Sequence, residues 1–111
     1  MGRVQAALAR AHAGVAAFNE SLSAARTAAS RAGGYGSDGW VSAQVAMARL
    51  ERTREPVQLA LIDLTEEQRL MLFGLVAADR ASVEAAMAEL LRIDAAQSAA
   101  LGALVDGLKR R

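Results

Sequence analysis

The chain has 111 residues, a length typical of one domain, and a formal net charge of +1. Basic and acidic residues are interspersed, so the sequence gives no basic footprint for nucleic acid or for a membrane surface, and we expect neither partner. Cysteine is absent, which excludes disulfides, thiolate metal ligands and cysteine catalysis. The hydrophobic fraction is 53%, but 27 residues are alanine, so large apolar side chains for a core are scarce.

A first helix is predicted over residues 3–32. Apolar residues recur there at alternating steps of three and four, which places them on one stripe that packs knobs into holes against another helix. The stripe comprises Val4, Leu8, Ala11, Val15, Phe18, Leu22, Ala25 and Ala29. Gly33 and Gly34 end the helix, because glycine adopts left-handed backbone at little cost. A loop over 33–39 follows, in which Ser37 and Asp38 are suited to capping the next helix.

A second helix is predicted over residues 40–64. Its stripe comprises Trp40, Ala43, Met47, Leu50, Arg54, Val57, Leu61 and Leu64. Pro56 lies inside this pattern, where proline removes a backbone hydrogen bond and clashes with the preceding turn. The apolar phase is the same on both sides of Pro56, which favours one helix with a kink. The alternative is that Pro56 opens a new helix.

The last helix is predicted over residues 66–109. Thr65 can cap it, Gln68 can bond back, and the acidic Glu66 and Glu67 suit the positive end of the helix dipole. Its stripe comprises Phe73, Val76, Arg80, Val83, Met87, Leu90, Asp94, Gln97, Leu101, Leu104 and Leu108. This helix either is continuous or breaks near residues 79–82, where Asp79 or Ser82 can cap a fourth helix.

These elements predict an all-α fold: one domain over residues 1–111, formed by an antiparallel bundle of three long helices, or of four if the last one breaks. The most hydrophobic run, Leu70 to Ala78, has nine residues, whereas a membrane-spanning helix needs about 20. We therefore expect no membrane span and a cytoplasmic location.

Four polar residues occupy positions within the apolar stripes, where leucine would be more stabilising. Two interpretations remain open. Polar residues in a seam can fix register and partner choice, or the stripe can rotate to solvent there because a straight helix drifts from a strict heptad. The four residues are Arg54, Arg80, Asp94 and Gln97.

The sequence offers little for catalysis. His12 is the only histidine, and it has neither a second histidine nor a glutamate at the spacing used by metal-binding bundles. The glycine-rich segment 33–39 lacks the Lys-Ser/Thr of a phosphate-binding loop and follows a helix rather than a strand. We predict that the protein is not an enzyme and binds no metal or cofactor.

Several features from Asp38 onward follow a common layout. They are the short loop into Trp40, the segment Leu50 to Arg54, the cap at Thr65 and the long final stretch from Glu89 to Arg110. This layout, over about two-thirds of the chain, resembles the flagellar export chaperones of the FliT and FlgN type. Those are small helical bacterial proteins that bind helical segments of flagellar subunits, so the resemblance implies a chaperone-like role. The chain is equally similar to small Ala- and Arg-rich helical proteins of GC-rich bacteria, a likeness that implies no function.

The sequence supports two hypotheses of function. In the first, the protein is a non-catalytic adaptor or chaperone that binds a partner helix through an apolar face. In the second, it is a structural bundle whose only partner is itself, as a homodimer. The predicted contact residues lie on the final helix, with a second patch around the apolar run: Leu90, Leu101, Leu104 and Leu108, and Leu70, Leu72 and Phe73.

Overall fold

A computed structural model describes residues 2–76 and 79–110. These residues form four helices and no strand: α1 (Arg3–Ser30), α2 (Asp38–Arg52), α3 (Glu55–Leu72) and α4 (Arg80–Lys109). The predicted all-α helical bundle is thus confirmed, although two of the helix boundaries differ from those predicted.

The four helices form three rods. The beginning of α1 packs with the end of α3 and the beginning of α4, whereas the end of α1 packs with the beginning of α2 and the end of α4. The middle rod, α2 followed by α3, therefore runs antiparallel to both α1 and α4, and α1 and α4 run parallel to each other. The bundle is elongated, with extents of 56 × 22 × 16 Å.

The core is a row of three apolar clusters along the bundle. Leucine and valine side chains fill the first cluster, around Val57, Leu64 and Leu90, against small alanines of α1. Phe18 and Leu50 centre the second cluster, and Met47 and Leu108 the third. Alanines at the contacts let the rods approach closely, which is how a chain with few large apolar residues still encloses a core.

The middle rod is divided near Pro56, so the predicted single kinked helix over 40–64 is corrected. α2 ends at Arg52 and α3 begins at Glu55, with Pro56 in its first turn. Thr53 and Arg54 separate the two helices. Each of these two residues keeps right-handed helical backbone angles: φ −72° and ψ −8° at Thr53, and φ −78° and ψ −16° at Arg54. Because the turn is itself helical, the apolar phase continues across it, as the sequence pattern indicates.

The predicted helix boundary at Thr65 is wrong. α3 continues through it to Leu72, and the Thr65 hydroxyl donates to the carbonyl oxygen of Leu61 at 2.8 Å. Threonine in a helix often bonds back in this way to the residue four positions earlier. A capping sequence does not start a helix where the preceding residues are already helical and packed.

The chain turns after Leu72, earlier than the predicted break near residues 79–82. The amide of Gly74 donates to the carbonyl of Met71 at 3.0 Å, and that of Leu75 to the carbonyl of Leu70 at 2.9 Å. This pair of bonds is a Schellman motif, and Gly74 has the left-handed φ of +68° that it requires. Asp79 occupies the N-cap position of α4, but its side chain makes no capping hydrogen bond to a backbone amide. It accepts instead from the Ser82 hydroxyl. Residues 77 and 78 of the predicted continuous helix lie outside the described residues.

The first interhelical connection lies close to the predicted loop. α1 ends at Ser30 rather than residue 32, and α2 begins at Asp38 rather than residue 40. The Ser37 hydroxyl oxygen accepts a hydrogen bond from the amide of Trp40 at 3.2 Å, which is the expected cap.

Candidate interaction surfaces

The final-helix part of the predicted contact surface needs correction. Leu90 has no exposed area and lies in the first cluster, and Leu108 is buried in the third. Leu101 and Leu104 are half-buried and pack against the second cluster. A partner could contact Leu90 and Leu108 only if the bundle opened, because the heptad stripe of α4 faces α1 and the middle rod.

The second predicted patch is largely accessible. Leu72 is 86% exposed and Phe73 is 70% exposed, whereas Leu70 is half-buried. Leu75, which the prediction did not include, is 69% exposed. We call Leu72, Phe73 and Leu75 the end patch, because they lie where α3 ends at one pole of the bundle. Leu75 belongs to the apolar run noted in the sequence, so the signal for it was present.

A shallow groove adjoins the end patch. It has a volume of roughly 330 Å³ and lies between the end of α3 and the beginning of α4, where Met71 and Val83 give it apolar walls. Arg80 and Glu84 line its rim and form an ion pair at 3.0 Å. The end patch and groove together offer an apolar surface with one positive and one negative group beside it.

A second exposed stripe runs along the middle rod, on the side away from the core, and sequence reasoning missed it. Its members follow one another at alternating steps of four and three, the spacing of a heptad. All eight are exposed: Val41, Val45, Ala48, Arg52, Glu55, Leu59, Ile62 and Glu66. We call this set the outer stripe. The inward stripe of the same rod obscured it, because a helix with apolar residues on two faces has a weak apparent period.

At one end of the outer stripe, Glu66 is engaged within its own helix. Arg69 donates to it through Nε at 3.1 Å and through Nη2 at 2.6 Å. These hydrogen bonds lower the pKa of Glu66 and raise the pKa of Arg69. Both groups are solvent-exposed, so this pair fixes local side-chain geometry and adds little stability.

An open groove of roughly 540 Å³ lies beside the middle of the outer stripe. Arg10, Ala13, Gly14 and Ala17 of α1 form one wall, and Pro56 and Leu59 of α3 form the other. Arg52 and Glu55 also line it. Apart from Arg10, the residues of the α1 wall are small.

The polar residues of the inward stripes behave in two ways. Arg80 is solvent-exposed and is the first residue of α4, so no continuous stripe passes through it. Arg54, by contrast, has a largely buried side chain and donates through Nη2 to Oδ1 of Asp94 at 2.9 Å. Gln97 is 4% exposed, and neither its amide nitrogen nor its amide oxygen has a hydrogen-bond partner. The Arg54–Asp94 pair thus connects the start of α3 to α4, whereas Gln97 is a buried amide without a protein partner.

Titratable groups elsewhere are dispersed. His12 Nε2 lies 3.0 Å from Glu89 Oε1, across the contact between α1 and α4. Across residues 2–76 and 79–110, no three histidine, cysteine or acidic side chains come together as a metal site would require. Glu67 is buried beside the start of α1, where Oε2 lies 3.6 Å from Arg3 Nη1, too far for a hydrogen bond.

Among the described residues, no helix combines the length and the apolarity that crossing a bilayer requires. No protein-family model, curated protein or solved structure matches the chain. By its structure the protein belongs to the class of elongated all-α bundles, and its candidate interaction sites are the exposed apolar surfaces described above.

Proposed function

We propose that this protein is a non-catalytic, cytoplasmic interaction protein that binds an amphipathic helix of a partner protein at the end patch. The single observation that carries the proposal is the exposure of Leu72, Phe73 and Leu75. At least 69% of the surface of each residue is open to solvent. Clustered large apolar side chains at a surface are typical of sites that bind another protein.

The neighbouring groove supports a helical ligand. Met71 and Val83 provide apolar walls next to Leu72, so an apolar stripe of a partner helix can be received between α3 and α4. Arg80 and Glu84 at the rim would meet the polar flanks of such a helix. Binding of a partner helix at this surface would suit an adaptor or a chaperone. The chaperone role is the one implied by the resemblance to flagellar export chaperones.

A photo-crosslinking experiment tests this proposal. A photoreactive phenylalanine analogue replaces Phe73 in one variant and Leu91, an exposed leucine of α4, in a matched control. After illumination in the native cell, we expect one defined heterologous protein to be attached at position 73 and not at position 91. The variant Leu72→Ser with Leu75→Ser should lose this product, because it removes the flanking apolar area.

Two results would contradict the proposal. One is the same set of products at positions 73 and 91, which would indicate random collision. The other is attachment only to further copies of this chain, which would favour the homodimer hypothesis instead.

A further inference from the structure

We infer that the outer stripe is a self-complementary dimerisation seam, on which a second copy of this chain docks antiparallel. The inference does not rest on the proposed function, because the outer stripe and the end patch share no residue. It starts from the spacing of the stripe, which is that of a helix in a two-stranded coiled coil.

The outer stripe is one continuous line although it crosses two helices. Thr53 and Arg54 keep helical backbone angles, so the phase of α2 carries over into α3. From Val41 to Glu66 the stripe spans about 38 Å at a rise of 1.5 Å per residue. Val41, Val45, Leu59 and Ile62 each have close to half or more of their surface exposed. These four apolar side chains therefore lie along one line and are open to a partner.

The charges at the centre of the stripe select a second copy as the occupant. Among the described residues, neither Arg52 nor Glu55 takes part in an ion pair. A two-fold axis passing midway between them, perpendicular to the rod, places Arg52 opposite Glu55 of the second copy, and Glu55 opposite its Arg52. Two opposite-charge pairs then form at the axis. The two-fold symmetry makes each residue face its counterpart of opposite charge, so this register is favoured.

The apolar positions obey the same symmetry. Moving outward from the axis, Ala48 comes opposite Leu59 of the second copy, and Val45 comes opposite its Ile62. In each pair a smaller side chain meets a larger one, which lets two facing stripes interlock. The outermost pair, Val41 with Glu66, lies at the solvent-exposed rim. A partner helix of unrelated sequence gives no reason for this internal symmetry about residues 52 and 55.

The groove beside the stripe favours close approach. Its wall on α1 consists of Arg10 and the small residues Ala13, Gly14 and Ala17. Arg10 is paired with Asp63 of α3. Beside the three small residues, a second rod lying on the stripe can settle partly between α1 and α3.

Charge reversal tests the inference. Sedimentation equilibrium of the whole chain, from about 1 µM to about 1 mM, covers the range expected for a small interface. We expect a monomer–dimer equilibrium in the wild type. Arg52→Glu and Glu55→Arg alone should each raise the dimer dissociation constant about tenfold or more, because each places like charges opposite one another. The double variant should restore dimerisation, since the opposite-charge pairs are re-formed with the signs exchanged.

Matched controls use exposed residues of α1 away from the stripe. Arg26→Glu and Glu20→Arg change net charge by the same amounts, and both side chains are exposed. They should leave the dimer dissociation constant unchanged. Circular dichroism of every variant verifies helix content, which should be preserved because all four residues are on the surface.

Disulfide trapping tests orientation and register, and the chain has no cysteine of its own to interfere. The double variant Ala48→Cys with Leu59→Cys should form a covalent dimer on mild oxidation. Within one chain the two positions are about 16 Å apart along the rod, too far for a disulfide. Ala48→Cys alone should not be trapped, because in the antiparallel register the two copies of position 48 are equally distant.

The inference is overturned if the wild type is monomeric throughout the concentration range, which would leave the stripe for another protein. It is equally overturned by a dimer that the single charge reversals do not weaken, or by efficient trapping of Ala48→Cys alone, which would indicate a parallel pair. Variants of the end patch should not alter dimerisation, so failure of this inference and failure of the proposed function are distinguishable.

Discussion

Gly14 of α1 lies directly against the ring of Pro56 in α3. A Cβ atom at position 14 would come within 2.8 Å of Pro56 Cβ and 3.0 Å of Pro56 Cγ. Real Cβ atoms do not approach carbon so closely, and the proline ring cannot rotate away. Glycine therefore sets the separation between α1 and the middle rod at the point where that rod is divided.

We expect Gly14→Ala to lower the free energy of unfolding by about 1 to 2 kcal/mol, since overpacking outweighs the gain in helix propensity. Gly102→Ala is the matched control. Gly102 is also inside a helix, but nothing lies within 4 Å of its added Cβ. This control should raise the free energy of unfolding by about 0.5 to 1 kcal/mol. Urea denaturation measures both, and equal effects of the two substitutions would disprove the contact's role.

Gln97 is buried in α4 with both ends of its amide unpaired. Gln97→Met keeps the side-chain length and the helix propensity while removing two polar groups without protein partners. We expect the free energy of unfolding to rise by about 1 kcal/mol. Gln58→Met, at an exposed position of α3, should change it by less than about 0.5 kcal/mol. Thermal unfolding followed by circular dichroism would show the difference, and a destabilised Gln97→Met would mean that the amide has a role in the core.

The Arg54–Asp94 pair connects the start of α3 to α4, with the arginine side chain largely buried. Asp94→Asn removes the negative charge with little change in shape, so the guanidinium loses its nearest counter-charge. We expect a loss of about 1 kcal/mol of stability, moderated because Asp94 is partly exposed. Glu84→Gln weakens the exposed Arg80–Glu84 pair and should cost less than about 0.5 kcal/mol. Similar losses in the two variants, measured by urea denaturation, would argue against a special role for the buried Arg54–Asp94 pair.

Asp79 before α4 provides a pH-dependent contact. The Ser82 hydroxyl donates to Asp79 Oδ2 at 2.6 Å. This bond is the largest cause that lowers the pKa of Asp79 below its ordinary value of 3.8. The ionised carboxylate therefore stabilises the fold above the ordinary pKa, and this contribution is lost as the pH falls through the lowered one.

Removing the hydroxyl should reverse part of that shift. In Ser82→Ala we expect the pKa of Asp79 to rise toward 3.8, so that its protonation begins at higher pH. A titration of the Asp79 carboxyl carbon by NMR measures the change. Ser98→Ala, at an exposed position elsewhere in α4, should leave the pKa of Asp79 unchanged. An unaltered titration in Ser82→Ala would show that the hydroxyl bond is not made in solution.

Heptad spacing predicted the fold class and most of the inward positions of the middle rod. The apolar spacing is the same on both sides of the turn at Thr53 and Arg54, because these residues keep helical backbone angles. The heptad spacing placed Leu8 and Val15 on the stripe of α1, whereas Ala7 and Gly14 are the buried neighbours. The difference arises because α1 packs against two rods at once, and the closest contacts favour the smallest side chains. Sequence periodicity weights side chains by hydrophobicity and does not register a glycine as part of a contact.

Helix ends were harder to predict than helix faces. The capping pattern at Thr65 was misleading, since tertiary packing on both sides keeps α3 helical. The glycine that does end α3, Gly74, lies within an apolar run that favours helix, and only its backbone geometry shows the stop. The exposure of the end patch depends on this helix end, because in a longer helix Leu72, Phe73 and Leu75 would have different neighbours.

The parallel course of α1 and α4 puts Gly2 and Arg110 at opposite poles of a rod whose long dimension is 56 Å. Protein modules joined to the two termini would consequently be held several nanometres apart, with no flexible tether needed to separate them. Fluorophores attached near residues 2 and 110 would report on this separation, since any unpacking of the bundle would change the energy transfer between them.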